Sequence, residues 1–309
     1  LPEGGLLVTE RPGRMRIVER DGKLGEPLAG LPAVAAGGQG GLLDVALHPQ
    51  FASNRLVYWT FSEPGDGGAG TAVARGRLEG TALRDVQVIF RQVPKVSGAN
   101  HFGSRLVFAR DGRLYVGLGD RFHRKDDAQA LDNHMGKVVR IEADGRVPSD
   151  NPFAARAGAK PEIWSLGHRN IQGAALHPAS GVLWTTEHGP QGGDELNVSQ
   201  AGANYGWPVI TYGRNYGIGT RIGEGTERAD VVPPVAHWVP TSIAPSGLAF
   251  LTSDRYPGWK GQLFIGALRA QKLVRIELDG TRVVAQHDLL ADRGARIRDV
   301  RQGPDGWLY

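Results

Sequence analysis

The stretch Arg110-Asp111-Gly112-Arg113-Leu114-Tyr115-Val116-Gly117-Leu118-Gly119-Asp120 holds one complete unit of structure: a tight turn, a short apolar strand and a polar exit. Asp-Gly favours the positive-φ turns that join antiparallel strands, and Leu-Tyr-Val suits a pleated, buried surface. Comparable units recur at residues 6–9, 56–61, 182–189, 263–268 and 307–309, six in all, two of them announced by Pro178-Ala179-Ser180-Gly181 and Pro304-Asp305-Gly306. Further strand-like runs lie at 15–18, 72–78, 86–90, 138–142 and 273–278, and the one helical piece expected is short, at 127–133. Spacing of about 45 to 80 residues between units, with no long helical periodicity, points to four-stranded blades carrying loop insertions. The expectation is an all-β protein: a six-bladed β-propeller of four-stranded antiparallel blades, one domain over residues 1–309. Two stacked β-sandwiches would use similar strands, but no linker rich in Pro, Ser or charge divides the chain. The last unit stops at Tyr309 in mid-strand, so its blade is expected to be completed by further chain or by N-terminal strands.

Composition agrees with many short elements: 45 Gly and 19 Pro in 309 residues. The net charge of +4 is mild and only seven of the 36 basic residues are Lys, so nucleic acid is not an expected partner. No cysteine is present, which excludes disulfides, thiolate metal sites and cysteine nucleophiles. No apolar run reaches the roughly 18 to 20 residues that span a bilayer. Walker loops, Gly-x-Ser-x-Gly elbows and His-Glu-x-x-His motifs are likewise missing.

Chemistry concentrates in a few loops. His101 follows the turn Gly98-Ala99-Asn100 and precedes a strand, where an imidazole suits proton transfer or a surface hydrogen bond. Asp120 ends the next strand, at the same sheet edge in a hairpin, and could orient that imidazole. Gly167-His168-Arg169-Asn170 sets a guanidinium after a strand, either to stabilise developing negative charge or as an ordinary ion-pair partner. Arg296 and Arg298, two apart, share a face if they lie on a strand, and with Arg269 suit a polyanionic ligand or a solvated basic edge. Glu187-His188-Gly189-Pro190-Gln191-Gly192-Gly193-Asp194-Glu195-Leu196-Asn197 offers turning glycines, free carbonyls and hard oxygens, which fit a calcium loop or a capped polar turn. Trp164, Trp184, Trp207, Trp238 and Trp307 are expected to pack blades or line a pocket.

Taken in order with Gly38-Gln39-Gly40-Gly41-Leu42-Leu43-Asp44-Val45-Ala46-Leu47-His48-Pro49, Asn204-Tyr205-Gly206-Trp207-Pro208 and Ala244-Pro245-Ser246-Gly247, these motifs resemble the soluble pyrroloquinoline quinone-dependent sugar dehydrogenases, the glucose/sorbosone dehydrogenase family of six-bladed propellers, from Leu1 to Tyr309. The resemblance implies oxidation of aldoses at the anomeric carbon to lactones, with hydride passing to the quinone. It assigns His101 as the base, Asp120 as its partner and Arg169 with Asn170 beside the quinone. Arg269, Arg296 and Arg298 fall where basic residues hold the cofactor, and Gln39 and Asn100 near the sugar. Gly189 and Pro190 match carbonyls that bind the activating calcium, and Glu195 with Tyr205 a second, structural calcium. Position 269 is lysine and position 100 an acid in the glucose-specific members, whose long insertions this chain lacks, so the broader aldose dehydrogenases are the nearer match. The family also implies an external electron acceptor, a periplasmic or secreted location, and here a monomer rather than a dimer. The rival reading within the family is a non-catalytic binding propeller like the hedgehog-interacting proteins; a lactone-hydrolysing calcium propeller shares fold and metal but rests its ion on carboxylates and Asn.

Overall fold

A computed structural model describes residues 1–309. The chain opens with a two-stranded sheet, β1 (Leu6–Glu10) and β2 (Arg14–Val18). Four four-stranded antiparallel sheets follow, each in simple chain order. The first is β3 (Leu42–Leu47), β4 (Leu56–Gly65), β5 (Gly68–Glu79) and β6 (Ala82–Arg91); the second is β7 (Gly103–Phe108), β8 (Leu114–Leu118), β9 (Lys137–Ile141) and β10 (Ile163–Leu166). The third is β11 (Ile171–Leu176), β12 (Leu183–Glu187), β13 (Asp194–Val198) and β14 (Ala236–Trp238); the fourth is β15 (Pro245–Phe250), β16 (Leu263–Ala267), β17 (Lys272–Asp279) and β18 (Arg282–Leu289).

Four of the six repeated sequence units are the second strands of these sheets, β4, β8, β12 and β16. A second strand has a hydrogen-bonded neighbour on each edge and packed side chains on both faces, so it reads as a continuous apolar run; every residue of β12 and β16 is buried. The terminal units differ. Residues 6–9 belong to the two-stranded sheet, and 307–309 form no named strand but close a hairpin, with Arg301 and Tyr309 exchanging backbone bonds of 2.9 and 2.8 Å. The expected helical piece is a 3₁₀ turn at Lys125–Gln129, and a four-residue α-helix at Phe51–Asn54 was not signalled by any periodicity.

The apolar clusters lie between successive sheets. Tyr58, Val73 and Phe90 of the first four-stranded sheet pack on Leu106, Val116 and Val139 of the second. Val138 meets Ile171 and Leu183 of the third, whose Trp184 and Leu196 join Leu248, Ile265 and Val274 of the fourth. Trp59 and Trp184 are each wholly enclosed, and truncating either to Ala would cost about 3 to 5 kcal/mol.

The first strands β3, β7, β11 and β15 stand side by side in succession, which makes the arrangement propeller-like. The C-terminal segment binds across them: Ser246 Oγ donates to Arg298 O at 2.7 Å, Arg105 to Asp299 Oδ1 at 3.0 Å, and Arg301 to Asp44 Oδ1 at 2.6 Å. Residues 296–298 are not a strand, which corrects the shared-face reading of Arg296 and Arg298. Tertiary bonds from Gly247 N–H and Arg105 to the Arg298 carbonyl hold that segment instead. Gln39, His101, Asn170 and Ala244 all precede a first strand, and Asp120 and His188 follow a second strand, so the sequence motifs share one end of the fold.

Candidate active site

Register explains the central pair. Gly103 faces Leu118 across β7 and β8, so the residues two steps beyond, His101 and Asp120, meet at the sheet edge. Their contact is short: His101 Nδ1 lies 2.6 Å from Asp120 Oδ1. The carboxylate is fully buried and is held by two more donors, Phe122 N–H on Oδ1 at 2.8 Å and the Trp207 indole N–H on Oδ2 at 2.8 Å. A carboxylate acceptor fixes the proton on Nδ1, leaving Nε2 as the free base nitrogen. Desolvation lowers the His101 pKa below its ordinary value against the pull of Asp120, with Arg169 and Arg121 adding repulsion, so the imidazole is neutral near pH 7.

Backbone conformation presents the ring. His101 has φ of 52°, a left-handed value that non-glycine residues seldom adopt. Its N–H donates to Gln39 Oε1 at 2.9 Å, while Gln39 N–H binds Ala99 O at 2.7 Å. Arg121 donates to the carbonyls of Asn100 and Gly98 at 2.8 and 2.7 Å, its guanidinium 3.6 Å from the centre of the Phe102 ring. Asn100 is thus fixed through its backbone beside the base. Nothing in the sequence pattern singled out Arg121, although it directly follows Asp120.

Arg169 is almost wholly buried and donates from Nη1 to the carbonyls of His188 at 2.9 Å and Gly189 at 2.6 Å. Tyr216 Oη approaches its Nη2 at 3.5 Å, and its Nε has no partner. Its backbone N–H binds Glu187, whose other oxygen accepts His168 Nδ1 at 3.1 Å and Asn197 Nδ2 at 3.0 Å. Asn170 is a crosspiece: Oδ1 accepts Gly103 N–H at 3.1 Å and Gln172 Nε2 at 3.2 Å, and Nδ2 reaches Gln39 at 3.5 Å. Gln39, His101 and Asn170 therefore form one bonded group.

The loop after β12 turns on glycine. At Gly189 a Cβ would lie 2.2 Å from Gly193 O, and Gly192 and Gly193 have φ of 72° and 69°. Asp194 satisfies its own oxygens within the protein, taking Gly189 N–H and Ala244 N–H at 2.9 Å each and the Ser242 hydroxyl. Its carboxylate braces the loop. Of the two carbonyls expected to face an ion, Gly189 accepts Arg169 and Pro190 accepts no hydrogen bond. Glu195 is held well above the usual carboxylate range by burial and then by Glu187 close by, and the buried Asn197 Oδ1 next to it is unpartnered. A hard cation would satisfy that oxygen set. The Tyr205 hydroxyl is engaged by Val198 O and Gln200 N–H at 2.5 and 2.9 Å, so only its backbone carbonyl is available to an ion. No three His, Asp or Glu side chains converge as a metal cluster, so carbonyls would have to supply part of either shell.

The three basic residues expected to hold an anion, Arg269, Arg296 and Arg298, are all exposed. Arg298 donates to Gln172 Oε1 at 3.0 Å and is pushed down to about 10 by desolvation and then by Arg105 and Arg296, so an anionic ligand would relieve it. Ile297 N–H to Ala267 O at 3.4 Å brings the segments of Arg269 and Arg296 together. His188, which the sequence pattern did not single out, carries a buried Nε2 without a partner and is driven to about 3 by burial, Arg169 and Arg298. Together, Arg169, Arg298 and the free carbonyl and imidazole atoms fit an anionic cofactor with an accompanying cation.

Fold and site together define a propeller-like protein that sets a neutral imidazole base against buried guanidiniums and free loop carbonyls. Residues 1–309 match the family model Glucose / Sorbosone dehydrogenase, and the chain belongs to that family. It is 48% identical over 315 residues to the aldose sugar dehydrogenase of Escherichia coli (strain K12), covering 100% of this chain and 84% of that protein. The apo crystal structure of the soluble E. coli enzyme superposes with a TM-score of 0.97, covering 100% of this chain and 90% of that one. A crystal structure of a glucose dehydrogenase shares 52% identity at a TM-score of 0.97, again over 100% and 90% of the two chains. The pyrroloquinoline quinone-bound aldose sugar dehydrogenase of Streptomyces coelicolor shares 31% identity at 0.80, over 97% of this chain and 82% of that one.

Proposed function

We propose that this protein is a pyrroloquinoline quinone- and calcium-dependent aldose dehydrogenase that oxidises the anomeric carbon of a sugar to a lactone. The observation that carries the proposal is the His101–Asp120 pair at 2.6 Å, buried at the same end of the fold as Arg169. Bound quinone supplies a hydride acceptor and bound calcium a Lewis acid that polarises it. The protein's own task is the proton and the electrostatics. His101 Nε2 takes the proton of the anomeric hydroxyl as the C–H hydrogen departs as hydride, and Asp120 stabilises the resulting imidazolium. Arg169 opposes negative charge building on the acceptor side, while Asn170 and Gln39 hold the base loop and line its approach. Arg298, Arg296 and Arg269 would hold cofactor carboxylates, Gly189 and Pro190 carbonyls the activating calcium, and Glu195 with the Tyr205 carbonyl a structural one.

Counting the β1–β2 sheet and the hairpin at 301–309 as blades beside the four complete sheets gives six, which supports the six-bladed reading over residues 1–309 as one domain. No helix is long and apolar enough to cross a membrane. Family membership further supports an external electron acceptor and a periplasmic or secreted location, and the missing long insertions support action as a monomer. The test is dye reduction by aldoses with and without added quinone and calcium. Turnover that needs both is expected; turnover independent of both, or none with both, overturns the proposal.

A further inference from the structure

Among the sequence motifs quoted above, Trp207 in Asn204-Tyr205-Gly206-Trp207-Pro208 has no part in the proposed chemistry, yet it touches both halves of the site. Its Nε1–H donates to Asp120 Oδ2 at 2.8 Å, and the Arg169 guanidinium lies 5.2 Å from its ring centre. We infer that Trp207 is the positioning residue that locks the carboxylate behind His101 and, through its ring face, sets Arg169 in register with that base. The inference rests on the dehydrogenase reading for its link to turnover, though not for the coupling itself.

The indole is held so that it cannot follow Asp120 if the carboxylate turns. Trp207 N–H binds Gly167 O at 2.9 Å, and Gln129 Nε2 donates to Trp207 O at 2.7 Å. Its side chain packs with Ala128 and Ile222. Gly206 before it has no room for a Cβ, which would lie 2.8 Å from that of Ile210 and 2.9 Å from Val231 Cγ1. The Gly167–Asn170 loop and the Trp207 backbone are therefore bonded to each other, and Arg169 is carried on that loop.

Asp120 needs such a partner because its donors are unevenly placed. His101 and Phe122 both bind Oδ1, so Trp207 is the one donor on Oδ2. Without it, a fully buried carboxylate oxygen is left unsatisfied and the group is free to rotate away from the geometry that orients His101. The charged or titratable groups acting on His101 are Asp120, Arg169, Arg121 and His188, and only Asp120 and Arg169 touch Trp207.

The deciding experiment compares the parent holoenzyme with Trp207→Phe, which keeps an aromatic face for Arg169 and removes the indole donor, alone and combined with Asp120→Ala. W207F is expected to lower kcat about tenfold, the worth of one hydrogen bond to a buried charge, with KM for the sugar little changed. Its acid limb should move downward, because a carboxylate free to turn away from Nδ1 stabilises the imidazolium less. In the D120A background W207F should have no further effect on turnover. An acid limb that stays or rises, or the same loss with and without Asp120, means Trp207 does not position the carboxylate and overturns the inference. An inactive parent would sink the dehydrogenase reading instead. The coupling is then decided by NMR titration of His101 without quinone, which W207F must shift; an unchanged titration rejects it.

Discussion

Asp120 Oδ1 stands 2.6 Å from His101 Nδ1 with no solvent exposure of the carboxylate, so the pair is a fixed donor–acceptor unit whose base nitrogen is Nε2. Replacing His101 by Gln is expected to lower kcat by about 10² to 10⁴, the usual worth of a positioned general base. Quinone binding, followed by its absorption change on mixing, should persist. Turnover within a few fold of the parent would show that another group is the base.

The same pair fixes the sign of the pH dependence. Burial lowers the His101 pKa and Asp120 opposes that shift, so the neutral base is present above an acid limb lying below its ordinary value of about 6.5. Asp120→Asn removes the opposing charge. The acid limb should move further down while maximal turnover falls, and a limb that rises with the substitution would contradict this assignment.

Arg169 bridges two carbonyls, of His188 and Gly189, from one Nη1. Lysine keeps the charge but lacks the planar guanidinium that lies over the Trp207 ring and leaves further donors free for the cofactor. R169K is expected to raise the quinone concentration needed for half-maximal activation about tenfold or more. Reconstitution titrations at fixed calcium measure it, and an unchanged midpoint would show that Arg169 does not meet the cofactor.

Asp194 accepts three bonds, a buried one from Gly189 N–H and part-buried ones from Ala244 N–H and the Ser242 hydroxyl. Asp194→Ala leaves those donors unpaired. A loss of roughly 2 kcal/mol or more of stability is expected. Calcium needed for half-activation should rise as well, because the Gly189 and Pro190 carbonyls lose their brace. Thermal melts and chelator back-titration read the two effects separately.

Away from the site, His134 accepts Val93 N–H on Nδ1 and contacts Glu162 at 3.2 Å through Nε2, and burial lowers its pKa. Below about pH 6.5 the unfolded chain binds a proton at this position and the folded chain does not. Its stabilising effect is therefore full above that pH and shrinks as pH falls towards the folded value. The stability difference between parent and His134→Gln is expected to be smaller at pH 5 than at pH 7.5. A difference independent of pH would mean the histidine is not held neutral.

The sequence by itself determined the second strand of each four-stranded sheet and one end of the active site. The apolar runs at 56–61, 114–120, 182–189 and 263–268 are legible because a second strand is buried on both faces and bonded on both edges, so composition alone records its place. The His101–Asp120 contact was legible too, since a hairpin couples residues close in sequence through a fixed register. What only the tertiary structure decided involves partners brought from other sheets. Trp207 meets Asp120 across 87 residues of chain, and Arg105 meets Asp299 across 194. The unpaired segment at 296–298 is held by bonds from Ser246, Gly247 and Arg105 rather than by a strand ladder. No local periodicity encodes such contacts, because they arise where loops from separate, side-by-side sheets meet.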